Sequence, residues 1–316
     1  MGLNLRESEL FIEQEDHFLL TTHVKSDADG LGTCLAFARL LRSMGKRADI
    51  GLPEAPADQC YFLADWGNVR YGPDLDLDSY RSIIVADCPS LSRIGPLHKH
   101  LNNDVRLLNI DHHSGNELFG DVNVVASTSS TCELFYHLAI GLGAEIDDAM
   151  AAQIYTGILF DTGGFRFSLT TPSTFEVAAD LVRRGARLDY IADHVFGNKT
   201  LDLVRQRGQA IRSLELHQEG LIAVMQLDWD AMRAGDPDEV VNYGLMIKGV
   251  EVAILLKEQD PNCYRISLRS RASIDVARIA RAFGGGGHAR AAGLTLEGKP
   301  DEVTTRILTE ISQQLV

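Results

Sequence analysis

The chain has 316 residues, more than one domain usually contains, and its 45% hydrophobic and 23% charged residues are typical of a globular protein with a packed core. Its formal net charge of −14 argues against a surface that tracks long duplex nucleic acid, because such a surface needs many basic side chains. The acidic start resembles no signal peptide and no stretch is apolar over the length of a bilayer, so we expect a cytoplasmic protein without membrane contacts.

Strand-like and helix-like patterns alternate through the first half of the chain. A buried strand is predicted at 18–24, and a helix with apolar residues at helical spacing follows it and ends at Gly45. Further strands are predicted at 47–52, 82–88 and 105–111, and further helices at 130–143, 147–161 and 171–185. Such alternation predicts an α/β fold with a mostly parallel sheet covered by helices.

A second set of elements follows a helical stretch that is broken at Gly197–Asn198. Strands are predicted at 220–228, 248–258, 262–270 and 291–298, with helices at 273–283 and from Asp301 onward. We therefore predict an N-terminal domain at 1–186, a helical linker at 187–217 and a smaller α+β domain at 218–316.

Acidic and imidazole side chains follow three predicted strands of the first half and one of its helices. In chain order they are His23, Asp27, Asp29, Asp87, Asp111, His112, His113 and Asp161. Ligands of open α/β sheets bind outside the carboxyl ends of the strands, so we expect these groups to meet at one sheet edge. Asp29 could instead be a helix cap, and Asp161 a turn residue.

Carboxylates packed this closely repel one another unless they are protonated or hold cations. Carboxylate oxygens together with imidazole nitrogens suit Mn²⁺, Mg²⁺, Zn²⁺ or Fe²⁺. Six candidate ligands are too many for one catalytic ion with open positions, and they suit two ions that share a bridging carboxylate. The six are His23, Asp27, Asp29, Asp87, His112 and Asp161.

In combination these motifs resemble those of the DHH phosphoesterase family, and within it the oligoribonuclease and 3′-phosphoadenosine 5′-phosphate (pAp) phosphatase type. His23, Asp27 and Asp29 match the first family motif, Asp87 the second, Asp111 to His113 the third and Asp161 the fourth. The run Gly284 to His288, followed by Ala291 to Gly293, matches the DHH-associated C-terminal domain. One departure is Ser26, where relatives more often have proline.

The resemblance implies two divalent ions, Mn²⁺ first and Mg²⁺ as the alternative. His23, Asp27 and Asp87 would hold one ion. Asp29, Asp87, His112 and Asp161 would hold the other, so that Asp87 bridges the two. The resemblance also implies that His113 is a hydrogen-bond donor or general acid near the leaving group, and that Asp111 supports the histidines.

The resemblance further implies that the second domain binds substrate. Backbone N–H groups of Gly285, Gly286 and Gly287 would approach an anion, and His288 and Arg269 would hold a phosphate or stack on a base. Arg166 is a further candidate for phosphate or base contact. The other explanation for the glycines is a loop that packs closely on the next strand.

The expected activity is hydrolysis of short RNA or DNA oligonucleotides and linear dinucleotides to mononucleotides, and of pAp to AMP. A homodimer is left open.

The alternative functions are a RecJ-like single-strand exonuclease, which would need a basic channel with stacking residues, an inorganic pyro- or polyphosphatase, and a nucleotide-binding module without catalysis. The intact set of six ligand positions argues against the last. A dehydrogenase is excluded, because Gly30-Leu31-Gly32 lacks the third glycine of the dinucleotide motif.

Overall fold

Two sheets of six strands organise the residues that the structure describes, one in the unit Met1–Asn198 and one in the unit Lys199–Val316. The structure is a computed structural model and describes residues 5–56, 58–72, 75–101, 104–235, 237–271 and 274–313. Among the helices described there, none has the length and apolar character that a membrane span requires.

The described residues of the first unit form six α-helices and six strands. In chain order its elements are α1 (Leu5–Gln14), β1 (Phe18–Thr21), α2 (Ala28–Ser43), β2 (Ala48–Leu52), β3 (Val69–Tyr71), β4 (Ser82–Ala86), β5 (Arg106–Asp111), β6 (Val122–Val125), α3 (Thr131–Gly141), α4 (Asp148–Asp161), α5 (Pro172–Arg183) and α6 (Leu188–Phe196) among the described residues. Its strand order is β3-β2-β1-β4-β5-β6, and every pair is parallel. The predicted parallel sheet is confirmed, and all its carboxyl ends meet at one edge.

The central strands are apolar on both faces because both faces are covered. Every residue of β1 and β4 is buried. Leu20 and Ile84 pack in one cluster with helices α2, α3 and α4, whereas Leu19 and Ile83 pack in another with residues 91–101. Burial of one such side chain stabilises the fold by about 1.5–3 kcal/mol.

The short edge strands β3 and β6 and helix α1 were not predicted, because their patterns are brief or masked by polar residues.

Helices α2, α3 and α4 approach closely at two glycines. A Cβ at Gly32 would lie 2.7 Å from the carbonyl oxygen of Gln153, and a Cβ at Gly157 would lie 2.3 Å from Sγ of Cys132 and 2.7 Å from Oδ1 of Asp29. A larger residue at Gly157 would therefore displace the Asp29 carboxylate. The helix packing thus places an acidic side chain of α2 at the start of α3.

The second unit is an α+β arrangement, as predicted. Its described elements are α7 (Leu201–Arg212), β7 (Glu215–His217), β8 (Ile222–Leu227), α8 (Val241–Leu245), β9 (Val252–Asp260), β10 (Cys263–Ser270), α9 (Val276–Ala282), β11 (Gly286–His288), β12 (Ala291–Glu297) and α10 (Pro300–Ser312). The strand order is β11-β12-β10-β9-β8-β7, in which only β8 and β9 are parallel among the described pairs. Helices α9 and α10 cover one face, and α7 and α8 cover the other.

Candidate metal centre

The predicted side chains of the first unit converge at the carboxyl edge of its sheet. His23 follows β1, Asp87 follows β4, and Asp111 is the last residue of β5. Three groups have ligand atoms that lie within 4.8 Å of one another: His23, Asp27 and Asp87; Asp29, His112 and Asp161; and Asp87, His112 and His113. All six predicted ligand positions are therefore brought together.

Asp87 occupies the middle of this arrangement. Its Oδ2 lies 3.3 Å from Nε2 of His23, and its Oδ1 lies 3.7 Å from Nε2 of His112. The hydroxyl of Thr131 donates to the same Oδ1 at 2.9 Å. The backbone of Asp87 has φ 57°, a left-handed conformation that costs a residue other than glycine about 1–3 kcal/mol. This strain at a buried carboxylate points to function rather than packing.

Two of the three histidines in these groups, His23 and His112, present the same ring atom to the site. Nδ1 of His23 contacts the carbonyl oxygen of Val24 at 2.9 Å, and Nδ1 of His112 contacts that of Thr128 at 3.2 Å. A carbonyl oxygen only accepts, so Nδ1 carries the proton in each neutral ring. Nε2 is then the free base that faces the carboxylates, as in a metal ligand.

Asp29 bonds to the first turn of α3. It is fully buried, and it accepts hydrogen bonds from the backbone N–H of Thr131 at 2.7 Å and of Cys132 at 2.9 Å. The N-cap of α2 is Asp27, whose Oδ1 accepts from the N–H of Asp29 at 3.0 Å and of Gly30 at 3.1 Å. The alternative that Asp29 caps α2 is therefore wrong.

The cluster of buried carboxylates in this site is consistent with bound cations. Burial, together with the charges of Asp87 and Asp161, holds the pKa of Asp29 well above its usual range. Burial alone would lower the pKa of His23, but its contacts with Asp27 and Asp87 outweigh burial and raise that pKa to about 11. Among the described residues, no lysine or arginine forms an ion pair with these carboxylates. In the absence of metal, protonated histidine therefore supplies the positive charge that a bound metal ion would supply instead. The donor set suits divalent ions.

His113 belongs to a second network. Its Nδ1 donates to Oδ1 of Asp111 at 2.7 Å, and Asp111 is fully buried. Nδ2 of Asn116 donates to the other oxygen of Asp111 at 2.6 Å and contacts Oδ1 of Asn109 at 2.8 Å and the carbonyl oxygen of Cys88 at 3.1 Å. The sequence reasoning missed Asn109 and Asn116. The signals were a polar residue inside an apolar strand and an asparagine just after the DHH tripeptide.

A buried glutamate, also missed, supports the segment before α3. Burial alone would raise the pKa of Glu133, but hydrogen bonds from His137, Ser129, Ser173 and Thr174 lower it to about 2. Its backbone N–H donates to the N-cap hydroxyl of Ser130 at 3.0 Å, and its carboxylate accepts from the N–H of Ser129 at 3.1 Å. This network holds residues 128–131, which contact Asp29, Asp87 and His112.

The candidate substrate residues are distributed over both units. Arg166, in the loop after Asp161, is exposed, and its Nε donates to the carbonyl oxygen of Gly163 at 2.6 Å. In the second unit, position 288 of β11 pairs with Ala291 of β12, which in turn pairs with Arg269 of β10. The orientation of the His288 side chain lies outside what the structure describes.

The glycine run is partly a strand rather than a loop. Gly286 pairs with Gly293 across the sheet. A Cβ at Gly285 would lie 2.3 Å from the carbonyl oxygen of Gly293, and one at Gly287 would lie 2.5 Å from that of Ala291. Close packing on β12 therefore already requires glycine at 285 and 287, whereas a Cβ at Gly286 would meet open space.

Comparison with known proteins gives the family of the chain. The model of the DHH family, N-terminal domain, matches residues 17–158, and the model of the DHHA1 domain matches residues 219–316. The chain is 30% identical over 312 residues to the bifunctional oligoribonuclease and PAP phosphatase NrnA of Thermus thermophilus, and the alignment covers 95% of this chain and 91% of that protein.

Two solved structures share the fold. An exopolyphosphatase-related protein from Bacteroides fragilis superposes with a TM-score of 0.90 at 24% identity, covering 98% of this chain and 95% of that one. RecJ from Thermus thermophilus in complex with Mn²⁺ superposes with a TM-score of 0.56 at 14% identity, covering 99% of this chain and 55% of that one.

Fold and site define a metal-dependent hydrolase of phosphate esters. The chain belongs to the DHH family and carries the DHHA1 domain of that family.

Proposed function

We propose that the chain hydrolyses short RNA and DNA oligonucleotides and linear dinucleotides to mononucleotides, and pAp to AMP. The observation that carries this proposal is the position of Asp87 between the imidazoles of His23 and His112. The Thermus relative, which is named an oligoribonuclease and PAP phosphatase, supports the substrate class. The free thiols of the described cysteines fit a reducing, cytoplasmic location.

Two divalent ions, Mn²⁺ first and Mg²⁺ as the alternative, fit the ligand groups. His23, Asp27 and Asp87 would hold one ion, and Asp29, His112 and Asp161, with Asp87 again, would hold the other. When bound, such a pair supplies positive charge for the phosphate oxygens and lowers the pKa of the attacking water. Thr131 orients Asp87 through its hydroxyl, and the N–H groups of α3 orient Asp29.

His113 is proposed to give a proton to the leaving oxygen. Since Asp111 accepts the Nδ1 proton, the proton given to the leaving oxygen would come from Nε2 of the doubly protonated ring. Burial alone would lower the pKa of His113, but its contacts with Asp111 and Asp87 raise that pKa and so favour this form. Asn116 fixes Asp111 and so fixes the direction of the ring. A donor held within hydrogen-bond reach of the leaving atom typically contributes about 10²–10⁴-fold to the rate.

The proposed phosphate and base contacts are Arg166, Arg269, the backbone at Gly285 to Gly287, and His288. Gly286 is the best placed of the glycines for close approach of an anion, because packing does not account for it. A contact to the terminal phosphate of the substrate would favour short substrates. The net charge of −14 also disfavours long polyanions.

A time course with 5′-labelled RNA and DNA of about two to twenty-four nucleotides tests the proposal, with pAp, pyrophosphate and tripolyphosphate alongside, in Mn²⁺ and in Mg²⁺. We expect the shortest oligomers and pAp to be consumed fastest. Preference for the longest single strands would favour a RecJ-like exonuclease, and preference for the inorganic substrates would favour a pyro- or polyphosphatase.

A further inference from the structure

The loop after Asp161 has an unusual and well-fixed backbone. Gly163, Gly164 and Phe165 have φ values of 57°, 71° and 64°, so three successive residues are left-handed. For a bulky residue such as Phe165 this conformation is a genuine outlier. The carbonyl oxygen of Thr162 accepts from the N–H of Arg166 at 2.9 Å and of Phe167 at 3.0 Å, which closes the loop. Strain that is held this firmly is characteristic of binding sites.

The loop that follows the candidate ligand Asp161 carries an exposed aromatic ring. Phe167 is 46% exposed, whereas Phe165 packs against the core of the unit. The Phe167 ring lies over Gly163, where a Cβ would be 2.4 Å from Cζ. Gly163 follows Asp161 by two residues, so the ring lies within about 12 Å of the Asp161 Cα. About half of a large apolar side chain is therefore exposed to water within this distance of one candidate ligand.

The residue before this ring is a cation. Nε of Arg166 donates to the carbonyl oxygen of Gly163, which anchors the guanidinium on the same turn. No carboxylate in the described part of the chain forms an ion pair with Arg166. A cation and an exposed ring on one rigid turn match the two halves of a nucleotide, its phosphate and its base.

We propose that Phe167 is a base-binding residue, whose ring stacks on a nucleobase of the substrate while the neighbouring phosphate lies at the metal centre. This inference rests on the proposed function. Every base has a π-face, so stacking gives affinity without a preference for sequence. The exposed apolar side chains of this segment, Phe167, Leu169 and Phe175, offer less apolar area than the roughly 800 Å² that each partner of a stable protein interface buries.

The test uses three dinucleotides: pApA and two analogues in which either the 5′ or the 3′ base is replaced by an abasic residue. Phe167→Ala removes the ring, and Phe167→Trp keeps a stacking surface. Met44→Ala is the matched control, because Met44 is also 46% exposed but lies at the far end of the 16-residue helix α2. That end is about 24 Å from the N-cap Asp27.

Phe167→Ala should raise KM for pApA roughly 5- to 150-fold, the range that loss of one stacked base implies. One abasic analogue should show the same loss, and the analogue that lacks the stacked base should show none. Phe167→Trp and Met44→Ala should stay near the wild type. Equal losses on all three substrates, or no loss on any, would overturn the inference alone. A wild type that hydrolyses none of the three would overturn the proposed function and the inference with it.

Discussion

The carboxylate of Asp29 accepts the backbone N–H of Thr131 at 2.7 Å, so a candidate metal ligand of α2 also binds the N-terminus of α3. The N-terminus of a helix attracts anions through its free N–H groups and its dipole. Asp29 is thereby held in one orientation although burial and neighbouring carboxylates disfavour its charge. The metal centre and the start of α3 are one structural unit.

Asp29→Asn should remove most of the stabilisation that Mn²⁺ gives the protein. The amide keeps the shape but supplies no negative charge to an ion, and its NH₂ group would face one of the two N–H donors of α3. In EDTA the variant should stay within about 1–3 kcal/mol of the wild type, because lost charge repulsion offsets part of the lost hydrogen bonding. Thermal unfolding in Mn²⁺ and in EDTA measures both the stabilisation by the metal and the stability of the metal-free variant. An unchanged shift with Mn²⁺ would remove Asp29 from the ligand set.

Asp87→Asn should lower kcat by at least about a thousandfold, because a bridging carboxylate serves both ions. Asparagine tolerates the left-handed backbone of this position better than alanine does. Asp65→Asn is the matched control: Asp65 has φ 67° and lies outside the site, where it pairs with Arg39. The two variants are compared by their rates of pApA hydrolysis in Mn²⁺. Turnover near the wild-type rate in Asp87→Asn would refute the bridging role.

Asn116→Ala should lower kcat about 10- to 100-fold with little change in KM, because it frees Asp111 and with it the His113 ring. Asn68→Ala, an exposed asparagine that contacts Asp65, is the control. Steady-state rates on pAp and pApA separate the two parameters. A rise in KM with kcat unchanged would mean that Asn116 shapes a binding surface rather than the position of His113.

Glu133 should make the metal-free protein sensitive to acid. Its pKa is lowered from 4.5 to about 2 in the folded state, so its contribution is present above pH 4.5 and is lost as the pH falls toward 2. The shift corresponds to about 3 kcal/mol of unfolding free energy. Urea unfolding between pH 6 and pH 2 should therefore show a smaller acid loss in Glu133→Gln than in the control Glu176→Gln, which alters an exposed residue. Parallel curves for the two variants would contradict the assignment.

The sheet and the convergence of the acidic and imidazole side chains could be predicted because their signals are local. Apolar strands that end in Asp87 or in Asp111 are visible in the sequence, and parallel strands bring their ends to one edge. The cap of α2 was harder to predict. Asp27 and Asp29 lie two residues apart, and only the folded backbone shows that Asp27 caps α2 while Asp29 reaches α3.

The supporting residues could not be predicted from a local pattern. Asn116, Thr131 and Glu133 act through contacts that the chain makes only after folding, and their residue types are common in loops and helix starts. The strand β11 was missed for a related reason. Three residues rich in glycine have no strand propensity, and β11 forms because β12 offers a backbone edge that only glycine can approach.

We expect the Asp87 carboxylate to bridge two divalent ions. Anomalous diffraction from crystals soaked in Mn²⁺ tests this expectation directly. We predict two peaks about 3.5–4 Å apart on either side of the Asp87 carboxylate, one near His23 and one near His112. A single peak, or two peaks without contact to Asp87, would show that Asp87 does not bridge two ions.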